Sequence, residues 1–412
     1  MAMPMRRRTI GGMADGTPQQ KIAPVSRRRR AEMMDFSGLS RQYQALSPGI
    51  LTAVGEVLEE GTYIGGAQIK TLEDALARRS GARFALGCAN GTDALTLALL
   101  AFGARPGEAV FLPAFTFAAT AEAVALRGAT PVFVEVDESF TLDPAALEEA
   151  LDRTRREGRL RPAGVIAVDL FGLPADYGRI LPLVRREGLW LLEDAAQSFG
   201  AARGGRAACS FGEIAAASFF PTKPLGCYGD GGAVFTSRSR RAELLDSLRL
   251  HGRGIEKYDH RILGLNSRLD TLQAAILLEK LKVFDRELAR RREIAAFYTE
   301  RLSGAVRTPV IPAEAEPSWA QYTIRLPDRM QRDRMKLHLS IRGIPSAVYY
   351  PKPLHLQGAF ACFGLRKGAL PFSETLCEQV LSLPVHPYLT DDEVCCVADA
   401  VLEALREGAG LL

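Results

Sequence analysis

The sequence predicts an α/β fold in which helices cover both faces of a largely parallel sheet, giving three layers. Six short runs are almost wholly apolar and end at glycine, proline or polar residues, which is typical of strands buried on both faces. Helical patterns separate several of these runs, and this alternation favours a ligand site at the carboxyl ends of the strands. The runs are Ala109–Leu112, Pro131–Val134, Val165–Val168, Leu189–Leu192, Ala215–Phe220 and Ala233–Phe235.

Chain length and helical spacing predict a large α/β domain over residues 34–299 and a small α+β domain over residues 300–412. A chain of 412 residues exceeds the size at which a single core stops growing. Helical spacing begins in Gln68–Arg79. A long helical pattern from Asp270 to about Glu300 then leads out of the large domain.

The small domain is expected to contain two strands and two helices. Tyr322–Leu326 and Ala347–Tyr350 look like strands, with a charged helix between them from about Arg329 to Arg342. The last helix is expected to start at Thr390, because Thr390-Asp-Asp-Glu has the spacing of a capping box.

Composition excludes several classes of protein. Hydrophobic residues make up 47% and charged residues 24%, as in ordinary soluble globular proteins. The formal net charge is +4, and residues 1–33, with eight basic and two acidic side chains, contribute +6; residues 34–412 therefore carry −2, which does not favour nucleic acid. We interpret residues 1–33 as a disordered basic extension or the product of a misassigned start, in preference to a segment that contacts an anionic surface.

Cysteine, histidine and hydropathy patterns restrict the location and the type of site. The seven cysteines lack CxxC spacing and the five histidines lie far apart, so neither a disulfide framework nor a metal site is expected. A reducing cytoplasm fits these cysteines best. No apolar run is long enough to predict a membrane span.

The first chemical motif is Asn90-Gly91-Thr92-Asp93, which follows an apolar stretch and opens the helical run Ala94–Leu100. A glycine at a helix start exposes backbone N–H groups, and the helix dipole adds partial positive charge, so a phosphate can bind there. Taken alone, the motif is explained better as an ordinary N-cap.

The second motif is the acidic pair Glu193-Asp194 at the end of a buried apolar run. A carboxylate at the carboxyl end of a strand can pair with a protonated pyridine nitrogen and keep the ring an effective electron sink. Strand alternation should turn Glu193 to the opposite side, so Asp194 is the candidate. A metal-binding or helix-capping acid would explain the pair equally well.

The third motif places Lys223 between two prolines and before a glycine, in Ser218-Phe-Phe-Pro-Thr-Lys-Pro-Leu-Gly226. The prolines stiffen the turn and the glycine makes the next turn flexible. Partial burial would lower the pKa of the amine and leave the neutral form that attacks an aldehyde. Exposure on the surface is the usual fate of a lysine, and only the neighbouring residues argue against it here.

The fourth motif is aromatic. Phe117 ends the segment Pro113-Ala-Phe-Thr-Phe after a strand, where its ring can stack on a flat heterocycle. Core packing is the stronger explanation of this motif by itself. Together, however, the four motifs indicate pyridoxal 5'-phosphate (PLP), carried as a Schiff base on Lys223.

These segments resemble, in order and spacing, the fold-type I sugar aminotransferases of the DegT/DnrJ/StrS family, over about Asp35 to Leu402. The most specific runs are residues 88–94, 193–200, 218–232 and 264–275. The resemblance implies an aspartate aminotransferase-like fold, PLP as the cofactor, and a transaminase that moves an amino group from L-glutamate to a nucleotide-linked keto sugar. Some members have histidine in place of the lysine and catalyse dehydration, so Lys223 favours transamination.

The resemblance also implies a role for each matching residue. Lys223 would bind PLP covalently and move the α-proton, Asp194 would pair with the pyridine nitrogen, and Gln197 would hydrogen-bond the ring hydroxyl. Phe117 would stack on the ring. Gly91, Thr92 and Ser218 would hold the phosphate, and Asn266 would reach the phosphate from the partner subunit. A homodimer with shared active sites follows from the last contact.

Within this family the chain resembles in particular the members that act on UDP-2-acetamido-2-deoxy-3-oxo-glucuronic acid for bacterial surface polysaccharides. Arg268 can hold the sugar carboxylate in a bidentate pair, although a structural salt bridge explains it equally well. Those members commonly have His-Tyr before a proline where this chain has Tyr349-Tyr350-Pro351. Tyr350 keeps the pattern as a substrate-binding candidate, and Tyr349 changes the hydrogen-bonding end of the side chain. No distinct motif for uridine is present.

Three alternatives stay open. An aminotransferase for another nucleotide-linked keto sugar would have the same site chemistry. A non-catalytic regulator built on this fold is disfavoured by the intact Lys223, Asp194 and Gln197. Nucleic-acid binding through residues 1–33 would show a steep salt dependence and would be lost when they are removed.

Overall fold

The structure is a computed structural model that describes residues 34–256 and 258–409. The strands in chain order are β1 (Phe84–Cys88), β2 (Glu108–Pro113), β3 (Thr130–Val134), β4 (Arg161–Val168), β5 (Trp190–Asp194), β6 (Ala202–Arg203), β7 (Arg206–Ala207), β8 (Ile214–Ser218), β9 (Gly232–Thr236), β10 (Ala315–Glu316), β11 (Tyr322–Arg325) and β12 (Val380–Leu383). The helices are α1 (Leu39–Glu60), α2 (Ala67–Ser80), α3 (Gly91–Phe102), α4 (Ala119–Leu126), α5 (Pro144–Glu157), α6 (Tyr177–Arg186), α7 (Ser239–Arg249), α8 (Thr271–Leu281), α9 (Phe284–Leu302), α10 (Arg329–Ile341), α11 (Pro371–Gln379) and α12 (Asp391–Ala409).

The central sheet has the strand order β1-β9-β8-β5-β4-β2-β3. The pairings from β8 through β3 are parallel, whereas β9 runs antiparallel to both of its neighbours. All six apolar runs predicted as strands contribute to this sheet, although the fourth run begins as a strand at Trp190 instead of Leu189 and the fifth ends at Ser218 instead of Phe220. The prediction of a largely parallel sheet is therefore confirmed.

Helices cover both faces of the sheet because its strands are apolar on both faces. Ile214 and Ala216 of β8 pack in one core with α3, α4 and α7, while Ala215 and Ala217 pack in another with α2 and α8. Helices α5 and α6 cover the β2–β4 end of this second face. The three-layer α/β/α arrangement predicted from the sequence is confirmed.

The C-terminal part combines helices with the short antiparallel pair β11–β12, as an α+β segment should. Its core joins residues of α9, α10 and α12 to both strands. The predicted capping box opens α12: the Thr390 N–H donates to Glu393 Oε2 at 2.9 Å, and the Glu393 N–H donates to Thr390 Oγ1 at 3.2 Å. Helix α9 crosses the boundary between residues 299 and 300, and that boundary stays a prediction.

Two secondary-structure predictions were wrong. Ala347–Tyr350 is not a strand: only Ala347 forms a bridge, to Ser382, and β11 pairs with β12 instead. The two tyrosine rings turn toward other aromatic rings, and Pro351 lacks the N–H that a continuing strand needs.

The single long helix predicted from Asp270 to about Glu300 is two helices, α8 and α9. The Lys282 N–H donates to the Glu279 carbonyl and the Val283 N–H to the Lys280 carbonyl, so the last turn of α8 tightens to i→i−3 bonds. An apolar face that continues through both helices concealed this break.

The predicted basic extension, residues 1–33, lies outside the described residues. Among the helices that the structure describes, none has the length and apolar character needed to cross a membrane.

Candidate active site

The candidate side chains converge at the carboxyl edge of the central sheet. Asp194 and Ser218 end the neighbouring strands β5 and β8, and Gly91 opens α3 three residues after β1 ends. Phe117 follows β2 in the same way. Since the carboxyl ends of parallel strands meet at one edge, residues far apart in sequence come close together there.

Asp194 and Glu193 turn to opposite sides of β5, as strand alternation predicts. Asp194 is 4% exposed; its Oδ2 accepts a hydrogen bond from the Thr120 hydroxyl at 2.8 Å. Burial raises the pKa of Asp194, while the Thr120 hydroxyl, the Ala196 N–H and the charge of Lys223 act in the opposite direction. These donors favour the ionised carboxylate that a protonated ring nitrogen requires.

Glu193 is a structural carboxylate. Its two oxygens accept the backbone N–H groups of Cys209, Phe211 and Gly212 at 2.5, 2.6 and 3.1 Å. Burial raises the pKa of Glu193 to about 8, and the nearby Asp169 acts in the same direction. Glu193 therefore ties the loop after β7 to the sheet and faces away from the candidate cofactor site.

Lys223 lies in a tight turn, five residues after the end of β8. Its N–H donates to the Phe220 carbonyl at 2.9 Å, and its side chain is partly buried. Burial lowers the pKa of Lys223 to about 8, although the charge of Asp194 acts to raise it. The amine is therefore neutral much more often near neutral pH than an exposed lysine, as a Schiff-base nucleophile requires.

The start of α3 offers free backbone donors. Asn90 caps the helix by accepting the Asp93 N–H at 2.8 Å, so the N-cap reading of this motif holds. The Gly91 and Thr92 N–H groups have no hydrogen-bond partner among the described residues and remain available to an anion. A Cβ on Gly91 would lie 2.7 Å from Ser218 Cβ and 3.1 Å from its Oγ. The lack of a side chain at Gly91 thus leaves a space between Gly91 and the Ser218 hydroxyl, which we call the cradle.

Gln197 is held in one orientation from two sides. Its Oε1 accepts the Phe171 N–H at 2.6 Å, and its Nε2 donates to the Tyr350 hydroxyl at 3.3 Å. The Phe117 ring is 58% exposed, and its centroid lies 6.2 Å from that of Tyr350. One N–H of the amide is therefore left for a ligand, beside an exposed aromatic face.

Tyr349 and Tyr350 differ in their surroundings. Burial raises the pKa of both phenols. Tyr350 contacts Gln197 and Phe117, whereas the Tyr349 ring lies 6.3 Å, centroid to centroid, from Phe36. Tyr350 thus belongs to the cluster around Gln197, and Tyr349 lies one step away from it.

The segment that carries Asn266 and Arg268 presents both side chains to solvent, while Ser267 between them is buried. Ser267 Oγ accepts the Ala89 N–H at 3.2 Å, so this segment runs beside the start of α3. Arg268 forms no salt bridge with another described residue, and its role in substrate binding stays a prediction.

Sequence reasoning missed two groups that act on the candidate residues. The Thr120 hydroxyl contacts Asp194 directly, but a threonine near a helix start reads as an ordinary cap. Lys280 donates to the Gly226 carbonyl, three residues after Lys223, from a position that helical spacing alone does not distinguish from a solvated one. Neither residue carries a local sequence signal for its contact.

The residues present fit PLP. Two free N–H groups and a hydroxyl beside a glycine suit a phosphate, a buried carboxylate suits the ring nitrogen, and a partly buried amine suits the aldehyde. No group of three or more metal-ligating side chains occurs in the part of the chain that the structure describes.

Comparison with known proteins identifies the family. The DegT/DnrJ/EryC1/StrS aminotransferase family matches residues 45–402. The UDP-2-acetamido-2-deoxy-3-oxo-D-glucuronate aminotransferase of Pseudomonas aeruginosa is 42% identical over 371 residues, which cover 90% of this chain and 99% of that protein. The UDP-N-acetyl-3-dehydro-alpha-D-glucosamine 3-aminotransferase of Acidithiobacillus ferrooxidans is 41% identical, over 89% of this chain and 97% of that protein.

Two further similarities bear on function and fold. A protein of Geobacillus stearothermophilus named as a pleiotropic regulatory protein is 42% identical, over 90% of this chain and 98% of that protein. The crystal structure of a DegT/DnrJ/EryC1/StrS aminotransferase from Brucella abortus is 46% identical with a TM-score of 0.87, covering 90% of this chain and 99% of that one. The fold is therefore the fold type I of PLP-dependent aminotransferases.

Proposed function

Because the chain belongs to the DegT/DnrJ/EryC1/StrS aminotransferase family, whose members use PLP, we propose that it aminates the 3-keto carbon of a UDP-linked N-acetylhexosaminuronic acid. The amino donor in this proposal is L-glutamate. The observation that carries the proposal is the meeting of Lys223, Asp194 and the Gly91–Ser218 cradle at one sheet edge. The chain bearing this site is 42% identical to a relative named for that sugar.

Bound PLP supplies an aldehyde and an electron-withdrawing ring, which let an amino group pass between donor and acceptor. Lys223 is the residue that we assign to the aldehyde and to proton transfer. With its pKa lowered to about 8, Nζ can accept the α-proton of the amino donor and later return a proton to the sugar carbon. The Asp194 carboxylate would hold the proton on the ring nitrogen.

The other candidate residues orient the cofactor in this proposal. The Gly91 and Thr92 N–H groups and the Ser218 hydroxyl would bind the phosphate. The free N–H of Gln197 would bind the ring hydroxyl, because its carbonyl oxygen is already committed to Phe171. Phe117 would cover the ring with its exposed face.

Arg268 would select the carboxylate of the sugar. It is exposed and makes no ion pair within the described residues, so its guanidinium is available for a bidentate pair with an acid. The two named relatives supply a matched pair of substrates, because one acts on a 3-keto uronate and the other on a 3-keto glucosamine. Arg268→Met should raise KM for the uronate and leave KM for the sugar without a carboxylate unchanged. An equal effect on both substrates would contradict this assignment.

Tyr349 and Tyr350 would line the remainder of the sugar site.

A homodimer with shared sites completes the proposal. Asn266 and Arg268 are exposed on the single chain, and in this proposal they act on the site of a neighbouring copy. Mixing a Lys223→Ala chain with an Asn266→Ala chain should restore activity, because a mixed dimer would hold one site with neither change. Absence of any recovery in a verified mixed dimer would place Asn266 in its own chain's site.

The biological setting follows from the product. A UDP-linked 3-amino uronate would serve bacterial surface-polysaccharide synthesis, such as that of O-antigen. The seven cysteines are unpaired in the described chain, which supports a cytoplasmic site of action.

The absorbance of the PLP-loaded protein tests both half-reactions. Glutamate should convert the Schiff-base band to the pyridoxamine band, and the UDP-linked 3-keto uronate should restore the first band. Lys223→Ala is the control and should undergo neither change at a comparable rate. If neither glutamate nor any other common amino donor converts the Schiff-base band of the wild-type protein, transamination is contradicted.

A second candidate is amination of another nucleotide-linked keto sugar, which the 41% identity to the Acidithiobacillus protein favours. A normal glutamate step followed by recovery with the 3-keto glucosamine, and not with the uronate, would select it. The name of the Geobacillus relative raises a regulatory role. Loss of turnover in Lys223→Ala with partner binding retained would indicate that both roles reside in one chain.

A further inference from the structure

Lys280 is a buried amine that the proposed chemistry does not use. It lies on α8, is 1% exposed, and donates from Nζ to the Gly226 carbonyl at 2.6 Å. Nζ also lies 3.8 Å from the centroid of the Tyr228 ring. No carboxylate of the described chain lies within salt-bridge distance of Nζ, and burial lowers the pKa of Lys280 to about 8. Burying an amine in this way is costly, so its contacts must offset a considerable desolvation penalty.

Both contacts of Lys280 fall on the loop that carries Lys223. The Cys227 N–H donates to the Phe219 carbonyl at 2.7 Å and closes this loop at its base. A Cβ on Gly226 would lie 2.5 Å from the Pro221 carbonyl oxygen, so the two ends of the loop are in direct contact. A displacement of Gly226 would therefore also displace the turn around Lys223, because the backbone atoms of the two segments are in direct contact.

Helix α8 holds the same loop at a second point. Gln273 Oε1 accepts the Tyr228 N–H at 2.9 Å, and Gln273 Nε2 donates to the Tyr228 carbonyl at 3.4 Å. Gln273 thus fixes the backbone of Tyr228, while Lys280 contacts its ring. The segment immediately before α8 carries Asn266 and Arg268, so one helix joins the lysine loop to the exposed residues assigned to the partner's site.

We propose that Lys280 is a positioning residue for Lys223: by holding the Gly226 carbonyl and the Tyr228 ring, it keeps the lysine loop in the conformation that presents the Lys223 amine beside Asp194. This inference rests on the proposed function, because it takes Lys223 as the amine that reacts with PLP. The charge-assisted hydrogen bond to the Gly226 carbonyl contributes most to this restraint, and the cation–π contact with the Tyr228 ring adds to it.

Hydrogen exchange of the cofactor-free protein tests the loop directly. Lys280→Met removes the donor and the charge while keeping a long side chain. We expect amides of residues 219–228 to exchange at least about tenfold faster, the ratio expected for loss of a charge-assisted hydrogen bond, with other segments unchanged. Lys282→Met, an exposed lysine two residues later on the same helical segment, is the control and should match the wild type. Wild-type exchange of the loop in Lys280→Met would overturn the proposal.

Capture of the Schiff base at Lys223 gives a second readout. PLP is added, borohydride reduces the Schiff base at timed intervals, and peptide mapping reports the fraction modified at Lys223. Lys280→Met should be captured at least about tenfold more slowly at a matched occupancy of PLP. If Lys280→Met does not fold, Lys280→Gln is neutral and smaller and is measured in its place, with at least about a threefold effect expected on both readouts.

The outcomes separate this inference from the proposed function. Capture at Lys223 in the wild type, with equal exchange and capture rates in the Lys280 variants, would overturn the positioning role alone. Absence of capture at Lys223 in the wild-type protein would overturn the proposed function first.

Discussion

The Thr120 hydroxyl donates a hydrogen bond to Asp194, with Thr120 Oγ1 2.8 Å from Asp194 Oδ2 and both side chains buried. Replacing Thr120 with valine should raise the pKa of Asp194 and weaken its hold on the proton of the ring nitrogen. A hydrogen bond to a charged group contributes about 1.5–3 kcal/mol, so we expect PLP to bind about 10- to 100-fold more weakly. Equilibrium titration with PLP measures this. Thr120→Ser keeps the hydroxyl and should bind nearly as the wild type does; equal affinity in the valine variant would contradict this role.

Gly91 should tolerate no side chain. Gly91→Ala places a Cβ 2.7 Å from Ser218 Cβ and narrows the cradle assigned to the phosphate. We expect the dissociation constant of PLP to rise by at least about tenfold, because one displaced phosphate contact costs on the order of 1.5 kcal/mol or more. Gly55→Ala is a matched control within α1, where a Cβ would meet nothing within 4 Å; it should leave binding unchanged and stabilise the helix by up to about 1 kcal/mol. If both alanine variants bind PLP equally well, the phosphate lies elsewhere.

Schiff-base formation at Lys223 should depend on pH with a midpoint near 8. Burial lowers the pKa of Lys223 to about 8, so the neutral amine, which is the reactive form, predominates above that pH. The rate of borohydride capture mapped to Lys223 should therefore rise through about pH 8, where half of the amine is neutral, and level off at about pH 9. A rate that keeps rising to about pH 10 would mean that the amine has the ordinary lysine pKa.

The ion pair between Arg41 and Glu393 should stabilise the fold in a pH-dependent way. The hydrogen bond from the Arg41 guanidinium lowers the pKa of Glu393 to about 2, and Glu393 also completes the capping box of α12. Because the folded-state pKa is depressed, this stabilisation is present above the unfolded pKa of about 4.5 and is lost as pH falls toward 2. Glu393→Gln should lower the free energy of unfolding at pH 7 by about 1–2 kcal/mol, after allowance for partial exposure.

Urea unfolding of the wild type and of Glu393→Gln at pH 7 and at about pH 3 checks this prediction. The difference between the two proteins should shrink at the lower pH. A difference that is the same at both values would assign the effect to packing and not to charge.

Structural features that depend on residues close together in the sequence could be predicted from local sequence patterns. The capping box at Thr390 satisfies donors within one turn, so its residues could be identified without the fold. The alternation that separates Asp194 from Glu193 is equally local. Strand runs buried on both faces predicted the sheet, and its carboxyl edge then located the candidate site.

Long-range contacts account for what sequence reasoning missed. Tyr350 does not form part of a strand, because its side chain contacts residues that include Gln197, 153 residues earlier in the chain. Lys280 contacts Gly226 across 54 residues, and its helical position resembles that of the exposed Lys282 closely enough to conceal a buried role. Side chains that act on distant backbone leave no pattern in their own neighbourhood.

Transfer of labelled nitrogen tests the central claim most directly. The PLP-loaded protein is incubated with ¹⁵N-labelled L-glutamate and the UDP-linked 3-keto uronate, and the position of the label in the sugar is read by NMR, with Lys223→Arg as the control. The proposed function predicts label on C3 of a UDP-linked 3-amino uronate, formed by the wild type and not by the variant. An unlabelled sugar after PLP loading, or equal labelling by Lys223→Arg, would contradict it.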